Sequence, residues 1–183
     1  MDRDAAIELS RTRAEKETTV RHLISVEGVM RALARRFGED ENLWALTGLF
    51  HDLDQDQTHD DPDRHAYLAA EWLREAGVDE RVVNGVLAHA HEQFRTDLMS
   101  RAVVHADAVA GLLVAAALVR PEKAAGMKVS SVKKKLKEKA FAPGVNRDEV
   151  TSVEDSIGLP LDEFLGVGIE GLQAVAPEIG LAP

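Results

Sequence analysis

A chain of 183 residues without cysteine excludes disulfides, thiolate ligands and a catalytic thiol, so any metal must be held by nitrogen and oxygen. A net charge of −10 argues against nucleic acid binding over the whole surface. Few aromatics and abundant Ala, Leu, Val and Glu favour one α-rich domain, long enough to bury a core.

Apolar residues recur at three and four throughout, and no alternating strand pattern persists, which predicts an all-α fold. A polar, weakly amphipathic helix is expected over residues 2–16. A second runs from about Thr18 to Phe37, with His22, Val26, Val29, Leu33 and Phe37 on one stripe and Gly38 as its stop. A third, Asn42 to Leu53, is apolar and ends in His51-Asp52. After an acidic loop, Pro62 starts a helix to Ala76, closed by Gly77. Asp79 caps a helix to about His91, and a long helix follows from Thr96 to Val119 before Pro121. Ser130 caps a lysine-rich helix to Ala140, Ala142-Pro143-Gly144 turns, and two helices, about 148–157 and 161–176, finish the chain. The expected organisation is a helical domain over 1–120 and a C-terminal helical appendage over 121–183, packed on the same domain.

Met1-Asp2-Arg3-Asp4 lacks the basic and apolar regions of a secretory signal. The longest apolar run, Ala108 to Val119, falls short of the ~20 residues that span a bilayer. A soluble cytoplasmic protein without a membrane partner is expected. Charge is uneven: Arg120 to Lys139 holds eight basic residues against two acidic ones. This segment reads as a solvated face, with a phosphate-binding lid as the alternative.

An imidazole and a carboxylate side by side at the end of a buried helix are two metal donors. His51-Asp52 has that context, whereas His59-Asp60 lies in a polar loop. Four further residues occupy apolar helix faces. His22 has Val26 and Val29 as neighbours, His65 has Leu68, Ala69 and Trp72, and His89 has Val82 and Val86. Asp107, among Val103, Val104, Ala110, Gly111 and Val114, needs a partner or a cation. One histidine on an apolar face is ordinarily a hydrogen-bonded core residue. Four, with two carboxylates, on five helices point to one centre inside a bundle. His91 points away from the face of His89, which is preferred as the donor because of the valines behind it. His105, sharing a face with Arg101 and Ala102, reads as an outer or surface residue.

In order and approximate spacing, His22, His51-Asp52 and Asp107 resemble the signature of the HD-domain superfamily of metal-dependent phosphohydrolases, over about Thr18 to Leu118. Arg64-His65-Ala66-Tyr67-Leu68-Ala69-Ala70, then Gly77 and Val86-Leu87-Ala88-His89, look like the small standalone bacterial members. The chain departs from some relatives in having Ala90-His91 in place of adjacent histidines, and Asp52-Leu53-Asp54 in place of an Ile-Gly form. The resemblance implies an HD-like helical bundle with additional C-terminal helices. It implies that His22, His51, Asp52 and Asp107 hold one metal, and that His65 and His89 add a second bridged by Asp52. It favours Fe or Mn, with Ni, Co, Zn or Mg as further candidates.

The expected activity is hydrolysis of a nucleotide or other small phosphorylated metabolite by a metal-activated water, and nucleic acid is not expected as a partner. An HD-fold di-iron oxygenase and a non-catalytic metal-dependent regulatory module are the alternatives. Asp52 and Asp54 are the catalytic candidates. Asp54 and Asp56 follow the donor pair as orienters or proton acceptors, or else as exposed loop acids. Candidates for substrate phosphate are Arg21, Arg64, Lys128, Lys133 and Arg147.

Overall fold

The computed structural model describes all 183 residues as an all-α fold. Eleven α-helices occur: α1 Arg3–Arg13, α2 Glu17–Phe37, α3 Glu41–Phe50, α4 Gln55–Thr58, α5 Tyr67–Glu75, α6 Glu80–Ala90, α7 Leu98–Leu118, α8 Val129–Lys137, α9 Arg147–Thr151, α10 Val153–Ile157 and α11 Leu161–Val175. The ends follow local chemistry. Gly38, at φ +72°, closes α2 in the left-handed region, which costs glycine nothing. The Asp40 carboxylate accepts from the Asn42 and Leu43 N–H groups to start α3. Asp97 and Ser100 exchange hydrogen bonds as a capping box for α7.

The core is organised around α2, which is packed by α3 on one side and α11 on another, with α7 completing the layer. These approaches are at backbone distance. A Cβ built on Gly28 would lie 2.5 Å from the Gly171 carbonyl oxygen, and one on Gly48 would lie 2.8 Å from the Val26 carbonyl oxygen. Only glycine lets the helices meet so closely. The C-terminal segment thus shares the core: Phe164, Leu165 and Leu172 of α11 are fully enclosed, and Ala124 N–H donates to the Leu181 carbonyl. A buried acid braces the N-terminus on the same helix. Glu27 is 1% exposed and accepts from Arg3 Nε (2.6 Å), Arg3 Nη2 (2.8 Å) and Arg31 Nη2 (3.0 Å).

One helix, α7, is long and apolar enough to cross a membrane. Its most apolar window is 67% buried by the surrounding helices, so that surface is already used in the core.

Three elements differ from the sequence expectation. The helix expected from Pro62 begins at Tyr67, because Ala66 takes φ +66° and a right-handed helix cannot continue back through it. That conformation costs an alanine roughly 1–2 kcal/mol. The acidic loop contains the single-turn helix α4. The helix expected over 148–157 is two short ones, divided at Ser152.

Candidate metal centre

His22 stands on the second turn of α2, and His51 caps the C-terminus of α3, with Asp52 in the turn after it. His65 sits in the turn before α5, His89 on the last turn of α6, and Asp107 midway along α7. All six side chains converge. His22 Nε2 lies 3.2 Å from His51 Nε2 and 3.0 Å from Asp107 Oδ1. His51 Nε2 is 3.6 Å from the same Asp107 oxygen. Asp52 turns Oδ2 toward this group, 3.8 Å from His22 Nε2 and 3.6 Å from His51 Nε2. Its other oxygen, Oδ1, is 3.2 Å from both His65 Nε2 and His89 Nε2, which are themselves 3.4 Å apart.

One carboxylate therefore joins two clusters of donors. Spacings of this size are those of atoms around a common cation with bonds of about 2.0–2.2 Å. The nitrogen and oxygen set suits a divalent transition metal. The donor set fits the group that the sequence implied.

Neighbouring groups fix the imidazoles. His51 Nδ1–H donates to the Gly48 carbonyl (2.8 Å) and His89 Nδ1–H to the Val86 carbonyl (3.3 Å). Each bond leaves the Nε2 lone pair facing the centre. His65 Nδ1 is 3.0 Å from Thr58 Oγ1 and 3.0 Å from Asp54 Oδ1. His91 Nε2–H donates to the His65 carbonyl (2.9 Å), and its ring stacks on Tyr67 at 4.4 Å. Of the two histidines at this end of α6, His89 thus faces Asp52, and His91 holds the backbone of His65.

Burial opposes charge on His22, Asp52, His65 and Asp107, but the opposite charges prevail. For Asp107, hydrogen bonds and charge from His22 and His51 hold the carboxyl far below the ordinary range. Asp52 is held well below it by the charge of His51 and the hydrogen bonds of His65 and His89. Against the same burial, Asp107 raises His22, while Asp52 and Asp54 push His65 up to about 9. A metal must displace these protons. With metal removed, the raised His65 pKa adds stability that is complete below about 6.5 and is lost as pH rises to about 9. The melting temperature of chelated protein is therefore expected to fall across that window, and the His65→Ala variant to fall less. A flat wild-type profile, or equal slopes in the two proteins, would contradict the pairing.

Asp54 and Asp56 are not exposed loop acids. Asp54 is fully enclosed, and its Oδ2 accepts from the Ala69 N–H (3.0 Å) in the first turn of α5. It can influence chemistry only through His65. The Asp56 carboxylate accepts from the Glu15 and Lys16 N–H groups and from Thr19 Oγ1 at the start of α2. Burial works against its charge, yet those backbone donors hold its carboxyl below the usual value.

The centre opens on the side of His22 and Asp107, the most exposed of its donors. A cavity of about 360 Å³ begins there, walled by Gly111, the 142–146 turn and Glu149. A second, of about 320 Å³, shares His22 and Gly111 and is lined by Arg21, Val114, Leu118, Ile179 and Leu181. Arg21 is thus the one proposed phosphate residue at the opening, though it also pairs with Glu17 (3.3 Å). Arg64, Lys128 and Lys133 line neither cavity, and Lys133 pairs with Asp162 (2.6 Å). Arg147 is a correction: its guanidinium donates to the carbonyls of Leu136, Glu138, Phe141, Ala142 and Val145, clasping the 138–145 loop instead of facing substrate. His105 is buried, not superficial, with its ring Nδ1–H on the Glu149 carbonyl (2.5 Å). Glu149 itself, which the sequence reading passed over, lines the mouth. Burial and the charge of Asp107 raise its carboxyl.

Comparison with known proteins places this geometry. A family model for the HD domain matches residues 19–112, which contain all six donors. The chain is 31% identical to Ribonuclease Y 2 of Levilactobacillus brevis over 90 residues, 49% of this chain and 17% of that protein. It is 31% identical to Ribonuclease Y of Campylobacter jejuni over 91 residues (50% and 18%). The figure for Ribonuclease Y of Aliarcobacter butzleri is 30% over 93 residues (51% and 18%). The chain thus spans less than a fifth of the length of these relatives. No solved structure matches it.

Proposed function

The chain belongs to the HD-domain family, and from that premise we propose that it is a metal-dependent phosphohydrolase acting on a nucleotide or other small phosphorylated metabolite. The observation that carries this reading is the placement of Asp52, with one oxygen toward His22 and His51 and the other toward His65 and His89. A carboxylate so placed suits two cations, of the kind that clamp a phosphoryl group.

When bound, divalent metal supplies Lewis acidity toward phosphoryl oxygens and activates water at neutral pH. The residues provide the rest. His22, His51, Asp52 and Asp107 would hold one ion, and His65, His89 and the shared Asp52 the other. The Gly48 and Val86 carbonyls keep His51 and His89 in the tautomer that presents Nε2 inward. Asp54 and Thr58 orient His65 from behind. Glu149, at the mouth and with a raised carboxyl pKa, is placed to exchange a proton with a leaving group.

The size of the opening and the charge of the chain support a small substrate over RNA, on which the names of the curated relatives bear. The test is release of phosphate by the Mn- or Fe-loaded protein from mononucleotides and sugar phosphates, beside cleavage of a short RNA. Turnover of at least one small phosphoester is expected, roughly 100-fold or more above the Asp107→Ala variant. Cleavage of RNA alone would overturn the substrate class. No turnover of any phosphoester would overturn the hydrolase reading.

A further inference from the structure

A third cavity, of about 340 Å³, lies beside the mouth of the metal centre, with Glu149 as their common wall. It is formed where the first half of α7 faces α9 and α10. Its lining contains Arg95, Arg101, His105, Ser152 and Ser156. The polar groups here are mostly unspent. Arg101 forms no side-chain hydrogen bond or ion pair, and its Nε is sealed from solvent without a partner. That N–H is a cost the fold bears, and the two Nη groups of the same guanidinium, unbonded within the chain and not sealed, are what a ligand in the cavity would meet. The hydroxyls of Ser152 and Ser156 make no bond within the chain. Arg95 uses Nε and Nη2 on the Ala88 and His89 carbonyls at the end of α6, which leaves Nη1 free.

We infer that this cavity is a subsite for a second phosphoryl group of the substrate, one that is bound and not cleaved. The inference rests on the phosphohydrolase reading above and names its substrate class: phosphoesters that carry two separated phosphoryl groups. Arg101 offers the planar fork that suits phosphate, and the two serines and Arg95 add donors from the facing walls. Glu92 and Glu149 also line the cavity, so its formal charge is balanced. Recognition therefore comes from directed donors and not from a diffuse positive field. The same carboxylates can accept from the hydroxyls of a sugar lying between the two phosphoryl groups. His105, whose Nδ1–H is committed to the Glu149 carbonyl, adds an acceptor at Nε2.

Spacing narrows the class. Arg101 and Asp107 are six residues apart on α7, a rise of about 9 Å. Two phosphoryl groups joined through a single bridging oxygen are too close together to reach both places. A sugar between them gives the required span, whether in a bisphosphorylated nucleotide or between successive nucleotides of a short chain.

The test compares adenosine 5′-monophosphate, adenosine 3′,5′-bisphosphate and the 5′-phosphorylated dinucleotide pApA as substrates of the metal-loaded protein. In Arg101→Gln, the ratio of kcat/KM for a two-phosphate probe to that for the monophosphate is expected to fall about tenfold or more. The Ser152→Ala/Ser156→Ala double variant leaves α7 untouched and is expected to lower the same ratio. It also decides the matter if Arg101→Gln does not fold. The probe with the larger loss tells a mononucleotide source from an oligonucleotide one. Unchanged ratios for both probes in both variants would overturn the subsite. If none of the three probes is turned over, the hydrolase reading is decided by the wider phosphoester screen above, and calorimetric binding of adenosine 3′,5′-bisphosphate decides the cavity by itself. Affinity at least about tenfold weaker in the variants than in wild type would support it, and equal affinity would overturn it.

Discussion

Asp52→Asn is expected to lower the metal content of the protein and to reduce turnover by about 10³-fold or more, while far-UV circular dichroism stays that of the wild type. Asn keeps the volume and one oxygen of Asp but exchanges the other for an NH₂, which donates and cannot ligate. Asp52 uses both oxygens, Oδ1 between His65 and His89 and Oδ2 toward His22 and His51, so either orientation of the amide disables one cluster. The formal negative charge that would neutralise bound cations is also lost. A deficit of several kcal/mol in transition-state stabilisation corresponds to about 10³ in rate, at 1.36 kcal/mol per factor of ten. Elemental analysis beside the rate is the check. Retention of the wild-type metal content with activity within tenfold would sink the bridging role of Asp52.

The second large effect is structural. Gly171→Val is expected to lower the melting temperature by roughly 6–12 °C or more, through a loss of about 3 kcal/mol. A Cβ at position 171 would meet the Gly28 carbonyl oxygen closer than real atoms tolerate, and the Val29 Cα at 2.8 Å. These are backbone atoms of another helix and cannot rotate aside. Valine gains only about 0.5 kcal/mol in helix propensity over glycine, so the clash dominates. Gly166→Ala, on the same helix, is the control. A Cβ there meets only Val129 Cγ2 at 3.8 Å, and stability is expected to hold or rise by up to about 1 kcal/mol. Equal effects at the two positions would mean that the α2–α11 spacing is not set by backbone contact.

Much of this could be read from the chain because its signals were local. The 3.6-residue periodicity defined an all-α protein, and Gly38, Asp79 and the apolar stretch of α7 marked boundaries that depend on their own neighbours. The donors stood out as costly residues on apolar faces, Asp107 most clearly. What escaped was non-local. The turn at Ala66 has no glycine or asparagine to announce its positive φ; it is held by Asp54, Thr58 and His91, all remote in sequence. Asp56 looked like a loop acid because its partners, the backbone N–H groups of Glu15 and Lys16 just ahead of α2, lie some forty residues away and carry no side-chain signal. Arg147 looked available because backbone carbonyls leave no trace in a sequence. Arg101 drew no notice because what distinguishes it is a guanidinium that the fold leaves without a bond.

The glycine contact between α2 and α11 also has a bearing on how the protein is made. A ribosome releases the chain from its N-terminus, and all the candidate metal donors have emerged once Asp107 is out. The face of α2 around Gly28 must still wait for α11, which is translated some fifty residues after Asp107. Until then a helix that contributes His22 has one apolar side uncovered, at synthesis rates of about 5–20 residues per second. A nascent chain at that stage is a natural client for a chaperone, and acquisition of metal is best timed after α11 has docked on α2.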